Sequence, residues 1–231
     1  MSVLAIIPAR GQSKRLPNKN KRLLGGIPLI EYTIKAGLDA VMVDNIVVTT
    51  DDSEIALISQ SLGVQVQYPR PAKLSEDDSP IEDVIKHSIL LFETNGSHPD
   101  IIVLLQPTSP FRTAKHIDDA INLLITSQAD TVTAVRRVVE HPYYMWKQNN
   151  DEIIPYYSIE KQFTSRNNLP SFYIENGSIY VIKKNIFIQY GLYGNRVMPY
   201  EMSQIESIDI DEAIDLDWTE FLMLKQKSKD K

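Results

Sequence analysis

A basic loop near the N-terminus carries the side chains best suited to binding a polyanion. Between residues 10 and 22 it presents six cations, in a chain whose 24 Lys and Arg are outnumbered by 30 Asp and Glu: Arg10, Lys14, Arg15, Lys19, Lys21 and Arg22. Cationic side chains neutralise phosphate oxygens and stabilise negative charge as it develops on a leaving group. Gly11 in the same loop permits a close approach of the backbone. The loop therefore predicts a phosphate site, and the alternative is a solvated basic loop without a ligand.

A pair of acidic residues near the C-terminus is suited to a hard cation. Asp209 and Asp211 are separated by one residue, so the two-residue period of a β-strand would place both carboxylates on one face. Mg²⁺ is commonly held by one or two carboxylates together with substrate phosphates. The pair therefore predicts a Mg²⁺ site for phosphoryl or nucleotidyl transfer. The alternative is that Asp211 caps a helix and Asp209 is merely exposed.

Composition excludes several other classes of function. The chain has 231 residues and no cysteine, which rules out disulfides, thiolate metal sites and a cysteine nucleophile. Its formal charge of −6 argues against nucleic acid as a partner. Neither G-x-x-x-x-G-K-[ST] nor G-x-G-x-x-G occurs, so P-loop hydrolysis and dinucleotide-dependent redox chemistry lose support. No apolar segment is long enough to span a membrane and no secretory signal pattern is present, so we expect a cytoplasmic protein.

The elements that must position these side chains alternate between strands and helices. Apolar runs predict strands over residues 3–7, 45–50, 64–68, 101–105 and 131–135, with amphipathic helices between them. A further short strand is expected over 207–210, and a capping box over Ser79–Glu82 is expected to begin the third helix. This alternation predicts a single α/β domain over residues 1–231, built on a mainly parallel sheet that binds ligands at the carboxyl ends of its strands.

Two segments depart from the alternation. Residues 139–181 contain several prolines and tyrosines without a helical period, and we interpret them as an inserted β-rich arm for dimerisation. The alternative is an irregular loop that packs on its own domain. The segment from Asp211 onward is predicted to form a C-terminal helix with Ile214, Trp218 and Leu222 facing inward.

Six short motifs, in order along nearly the whole chain, resemble those of the CMP-sialic acid synthetase (acylneuraminate cytidylyltransferase) family. They are IPARG with SK and KN at residues 7–20, TTDD at 49–52, RPAKL at 70–74, LQPTSP at 105–110, NGSIY at 176–180 and SIDID at 207–211. The resemblance implies a Rossmann-like, three-layer nucleotidyltransferase (nucleotide-diphospho-sugar transferase) fold. It also implies a homodimer that uses CTP and Mg²⁺ to activate a nonulosonic acid and releases pyrophosphate.

The resemblance assigns roles to individual residues. The triphosphate is expected to be held by Arg10, Ser13, Lys14 and Lys19, of which Arg10, Lys14 and Lys19 stabilise charge during the reaction. The nucleoside is expected to contact Asn20, Arg70 and Ser79. Mg²⁺ falls to Asp209 and Asp211, because Gln106 stands where many other sugar nucleotidyltransferases have a metal-binding Asp. The sugar acid is assigned to Gln106, Arg166, Asn176 and Tyr180.

The sequence leaves alternatives open. Tyr144 stands where some relatives have a lysine, so the sugar acid is undetermined among sialic, legionaminic and pseudaminic acids and the eight-carbon Kdo. Another nucleotide such as GTP is a second alternative, and a nucleotide-binding protein without catalysis is a third. His141 is a candidate general base, although a histidine next to a proline is more often structural.

Overall fold

The amphipathic pattern of the chain produces a three-layer α/β structure, seen in a computed structural model that describes residues 1–157 and 169–227. The strands are β1 (Val3–Pro8), β2 (Leu23–Leu24), β3 (Ile27–Pro28), β4 (Asn45–Thr49), β5 (Gln65–Gln67), β6 (Ile101–Leu105), β7 (Thr131–Arg137), β8 (Trp146–Asn149), β9 (Glu152–Pro155), β10 (Tyr173–Lys183) and β11 (Val197–Glu201). The helices are α1 (Leu29–Leu38), α2 (Ser53–Ser61), α3 (Ile81–Glu93), α4 (Ala114–Ser127), α5 (Lys184–Tyr190) and α6 (Ala213–Lys227).

The central sheet has the strand order β11-β7-β10-β6-β1-β4-β5. Neighbouring strands are parallel except for β10, which runs antiparallel to both β6 and β7. The prediction of a mainly parallel sheet is therefore confirmed. Its carboxyl edge, at the ends of β1, β4, β5 and β6, is the place where a ligand is expected.

Both faces of the sheet are covered, which is why β1 is apolar without interruption. Its odd-numbered residues pack with α1, α2 and α4, and its even-numbered residues pack with α3 and α5. Asp52 caps α2, since its carboxylate accepts hydrogen bonds from the backbone N–H groups of Glu54 and Ile55. In the described part of the chain, no helix combines the length and apolar character needed to cross a bilayer.

The predicted capping box before α3 is wrong. The Ser79 hydroxyl donates to the carbonyl of Lys73 at 2.7 Å and makes no bond to the helix, whose N-cap position is Pro80. Glu82, the other member of the predicted box, accepts from the backbone N–H of Leu192 instead. Tertiary partners have thus replaced the local hydrogen bonds that the spacing suggested.

Two expectations for the C-terminal region also require correction. Residues 207–210 form turn and irregular structure rather than a strand, and only the N–H of Ile210 bonds across to Thr108, at 2.9 Å. In α6, Ile214 and Trp218 face outward, with 66% and 53% of their surface exposed. The inner face consists of Leu216, Thr219, Leu222 and Met223. The predicted stripe was correct only at Leu222.

The predicted arm overlaps the central sheet. From Tyr173 onward its residues belong to β10, which pairs with β7 from the register Tyr173↔Arg137. The described part that stands outside the sheet contains the hairpin of β8 and β9. Its Trp146 is 58% exposed.

Candidate active site

A cleft of about 330 Å³ opens at the carboxyl edge of the sheet. It is bounded by the loops after β1, β5 and β6, and by the turn that precedes α6. The cleft is lined by Pro8, Arg10, Ser13, Arg15, Lys19, Asn20, Arg70, Leu74, Glu76, Asp77, Ser79, Ile81, Val84, Gln106, Pro107, Thr108 and Asp211. Its four cationic side chains outnumber its three carboxylates, Glu76, Asp77 and Asp211, which makes the cleft the candidate site for an anion.

Two carboxylates pair with four cations of the basic loop. Asp77 pairs with Arg10 and, at 2.6 Å, with Lys14. Asp211 pairs with Arg15 at 2.7 Å and with Lys19 at 2.9 Å. These ion pairs keep the cationic groups at the cleft, where an anionic ligand would contact them.

Two polar side chains lie deeper in the cleft. Arg70 is 5% exposed, and burial lowers its pKa although Asp51 lies 3.9 Å away. Asn20 donates from Nδ2 to the carbonyl of Arg10 at 2.9 Å, while its buried Oδ1 has no partner among the described residues. A buried acceptor without a donor is costly, so Asn20 is a residue that a ligand can satisfy.

Gly11 is needed because Asp52 lies too close to leave room for a side chain at this position. A Cβ on Gly11 would lie 2.7 Å from both Cβ and Oδ2 of Asp52. Its N–H donates to the carboxylate of Asp51 at 2.9 Å. The glycine thus lets the basic loop lie against the start of α2.

The acidic pair joins this cleft to a second one. Asp211 lines the first cleft, and Asp209 lines a cavity of about 670 Å³ beside it. Asp209 is exposed at the surface, yet the protein around its carboxylate raises its pKa by desolvation, and the charge of Asp211 raises it further. Burial also acts on Asp211, but Lys19 and Arg15 outweigh it and its pKa is lowered.

This pair has the chemistry expected of a magnesium site. Two carboxylates whose mutual repulsion affects a pKa would both be stabilised by a divalent cation. Among residues 1–157 and 169–227, no group of three or more His, Cys, Asp or Glu side chains is arranged for a metal.

The second cavity contains one of the residues predicted for the sugar acid. Asn176 lines it and is fixed by a bond from Nδ2 to the hydroxyl of Ser207, at 2.9 Å, and by one from the N–H of Ser178 to its Oδ1, at 3.0 Å. Tyr180 is buried against the sheet, which raises its pKa to about 12, and its hydroxyl donates to Glu175.

The structure brings most of the predicted residues together. The first cleft holds Arg10, Ser13, Lys19, Asn20, Arg70, Ser79, Gln106 and Asp211. Lys14 lies in a shallow depression next to it, with Arg10 and Asp77. Tyr180 lines neither cavity, and Arg166 lies outside the described residues.

Sequence reasoning missed several residues that line the two cavities. Asp77 and Thr108 line the first cleft, and Arg136 and Trp218 line the second. The contact of Asp77 with the basic loop has no signal in the sequence, whereas Thr108 stands within the LQPTSP motif.

His141 has both of its ring nitrogens engaged. Nδ1 accepts from the N–H of Tyr143 at 3.2 Å, and Nε2 lies 2.9 Å from the carbonyl of Pro170. This hydrogen bonding gives the ring a structural role, which was the more common of the two expectations.

A mainly parallel sheet with a cationic cleft and an acidic pair at its carboxyl edge defines the class of nucleotidyltransferases. Comparison with known proteins agrees, since the family model described as Cytidylyltransferase matches residues 4–229. The chain belongs to the cytidylyltransferase family, as the motifs predicted.

Named relatives cover the chain almost completely. It is 35% identical over 226 residues to a CMP-N,N'-diacetyllegionaminic acid synthase of Legionella pneumophila, covering 96% of this chain and 97% of that protein. It is 31% identical to an N-acylneuraminate cytidylyltransferase of Escherichia coli over 93% of this chain, but it spans only 50% of that longer protein.

A solved structure confirms the fold class. A CMP:2-keto-3-deoxy-manno-octonic acid synthetase complexed with CTP superposes with a TM-score of 0.72 at 16% identity, and the match covers 98% of this chain and 100% of the other. At this level of identity the likeness concerns the fold alone.

Proposed function

We propose that this protein joins CMP to a nonulosonic acid, using CTP and releasing pyrophosphate. The observation that carries the proposal is the cationic cleft adjoining Asp209 and Asp211 in a chain of the cytidylyltransferase family. The anomeric hydroxyl oxygen of the sugar acid attacks the α-phosphorus of CTP. A phosphorus–oxygen bond forms to the sugar while the bond to the bridging oxygen breaks. Pyrophosphate leaves with that electron pair, and the hydroxyl proton passes to solvent.

The triphosphate replaces carboxylates as the partner of the basic loop. Arg10 and Lys14 exchange Asp77 for phosphate oxygens, and Lys19 is released from Asp211. Because the cations are already held at the cleft, little reorganisation is needed when charge moves to the leaving pyrophosphate. Ser13, which lines the same cleft, contributes a hydroxyl.

The nucleoside is assigned to the deeper part of the cleft. Oδ1 of Asn20, which has no partner in the described part of the chain, is an acceptor for a ribose hydroxyl or a base amino group. Arg70 and Ser79 line the same cleft. The Ser79 hydroxyl does not cap α3, because it donates to the carbonyl of Lys73.

Asp209 and Asp211 are the residues that would hold Mg²⁺. When bound, the ion neutralises charge on the triphosphate and on the departing pyrophosphate. A bound Mg²⁺ would also take the place of Lys19 as a cationic partner of Asp211, beside Arg15, once Lys19 contacts the phosphate.

For the sugar acid we propose the second cavity and Gln106. Asn176 lines this cavity and Gln106 stands at the end of β6, while Tyr180 supports the strand that carries Asn176. Arg166 is retained as the partner of the sugar carboxylate on the family pattern alone. Among the acids we favour a legionaminic type, because the Legionella relative matches at 35% identity over nearly its whole length.

Pyrophosphate release is the direct test. The purified chain is incubated with CTP and Mg²⁺ and, in turn, with N-acetylneuraminic, diacetyllegionaminic, diacetylpseudaminic and Kdo acids, with GTP in parallel. We expect release with CTP and most rapidly with the legionaminic acid. Stabilisation by CTP without release for any acid would favour a nucleotide-binding protein, and preference for GTP would refute the base assignment.

We further propose a homodimer in the cytoplasm that uses the hairpin of β8 and β9 as a contact. Trp146 and Ile153 on this hairpin have 58% and 64% of their surface exposed. Large apolar side chains that are exposed together mark a surface for contact with another protein. A Trp146→Glu and Ile153→Glu double variant is expected to sediment as a monomer. Leu57→Glu, at an exposed position on α2, is the control and should leave a dimer intact. A dimer of unchanged affinity in the hairpin variant would refute this contact.

A further inference from the structure

Arg112 is a buried cation that contacts the backbone of Gln106, a residue of the first cleft. It lies between β6 and α4 and is 3% exposed. One guanidinium nitrogen, Nη1, donates to the carbonyl of Gln106 at 2.9 Å and to the carbonyl of Ser178 at 2.7 Å. The other, Nη2, donates to the hydroxyl of Thr33. A single side chain thus joins the end of β6, the strand β10 and the helix α1.

The charge of Arg112 is not compensated by a carboxylate within residues 1–157 and 169–227, where its hydrogen-bond partners are two carbonyls and a hydroxyl. Burial lowers its pKa to about 9. Its Nε has no partner in the same part of the chain. Burying an arginine in this way is costly, so a purely structural role would be served as well by an apolar side chain of similar volume.

Both carbonyls belong to positions that shape the predicted sugar site. Gln106 carries its side chain into the first cleft, and Ser178 stands in the irregular part of β10, where pairing with β7 shifts between Glu175 and Tyr180. Gly177, with φ of +71°, lies in the same irregularity. A Cβ on Gly177 would lie 3.7 Å from Oε1 of Gln106, so the irregular part of β10 lies next to the residue that follows β6.

We infer that Arg112 is a positioning residue for the sugar acid, because its forked guanidinium fixes the end of β6 against the irregularity of β10. The regular pairing of β6 with β10 ends at Leu105 opposite Ile179, and Arg112 fixes the carbonyls of Gln106 and Ser178 just beyond it, near the two side chains, Gln106 and Asn176, that face the substrate. A fork of this shape cannot be reproduced by lysine, whose ammonium is a single point charge. The inference rests on the proposed function.

The test compares Arg112→Lys with the wild-type chain in the pyrophosphate assay. The variant keeps the charge and loses the fork, so we expect the KM for the sugar acid to rise about tenfold and the KM for CTP to stay within about twofold, as a displaced positioning group affects the substrate that it orients. Arg196→Lys, at an exposed position before β11, is the matched control and should change neither KM. Equal increases in both KM values, or an unchanged KM for the sugar acid, would overturn the inference.

A second variant keeps the inference testable if Arg112→Lys does not fold. Thr33→Val removes one of the three acceptors of Arg112 with little change in volume, and we expect a smaller rise in the same KM, about threefold. If Arg112→Lys does not fold, an unchanged KM in Thr33→Val overturns the inference. The wild-type chain is measured first: absence of turnover there refutes the proposed function, whereas an active wild type with unaffected variants refutes only the role of Arg112.

Discussion

Gly11→Ala should damage both stability and catalysis, and the expected size follows from one contact. The new Cβ would lie 2.7 Å from Cβ and from Oδ2 of Asp52, and ordinary contact requires 3.4 Å or more. Asp52 cannot turn away freely, because its carboxylate caps α2 through the N–H groups of Glu54 and Ile55 and receives Lys21 at 2.9 Å. Either the cap breaks or the basic loop moves.

Overpacking of this kind costs about 1–3 kcal/mol. In a chain of this size, each 1 kcal/mol lowers Tm by about 2–4 °C, so a fall of roughly 4–8 °C is expected for a cost near the middle of that range. The basic loop would shift by several tenths of an ångström, and since a misplacement of about 1 Å can cost about a hundredfold in rate, kcat should fall roughly tenfold. Calorimetry or denaturant unfolding measures the first effect, and pyrophosphate release measures the second.

Asp52→Gly supplies the control. Glycine is accepted as an N-cap at a cost of only a few tenths of a kcal/mol, and it removes the Cβ against which the introduced methyl group would press. In that background Gly11→Ala should be nearly neutral, so the coupling energy between the two positions should equal almost the whole cost, about 1–3 kcal/mol. An equal cost of Gly11→Ala in both backgrounds would show that the contact is not the reason for the glycine.

Three further predictions concern charge. Asp211→Asn should abolish most pyrophosphate release while the melting temperature stays near that of the wild type, and an unchanged rate in Mg²⁺ would refute the metal assignment. Asp77→Asn removes the carboxylate that pairs with Lys14, so CTP should bind up to a few-fold more tightly in a calorimetric titration. Asp78→Asn is the control. Weaker binding would mean that Asp77 orders the basic loop and does not compete with phosphate for Lys14. In urea unfolding between pH 6 and pH 3, stability should fall as the pH drops below about 5. The pKa of Glu93 is lowered, first by its hydrogen bond from Lys184, so the stability it contributes is present above its ordinary value of 4.5 and is lost on acidification. A flat stability profile over that range would contradict this reasoning.

Much of the fold follows from patterns that are local in the sequence. The apolar run of β1 must be buried on both faces, and Asp52 followed by an amphipathic stretch determines the start of α2. The position of β10 could not be obtained in this way. It returns from the arm to lie antiparallel between β6 and β7, a placement set by tertiary pairing alone.

The candidate site was predictable to a similar degree. The motifs placed Lys19 and Asp211 in one site although 192 positions separate them, and the two side chains are in contact. The reasoning about the acidic pair was incomplete, because residues 207–210 are not a strand. What brings the pair to the cleft is the burial of Ile210, whose N–H bonds to Thr108. The outward faces of Trp218 and Ile214 were missed since both sides of α6 are apolar and periodicity alone does not choose between them.

Because of the way in which the arm joins the sheet, the arm can be replaced without a change in the sheet. The chain leaves at the end of β7 and returns at the start of β10, and these points are paired, Arg137 opposite Tyr173. The intervening segment therefore begins and ends at the same place, and doubling its length would add only about 0.6 kcal/mol of closure entropy. Related chains can then lengthen, shorten or replace this segment without altering the strands beneath it. Such freedom allows this segment to diverge faster than the strands that it joins.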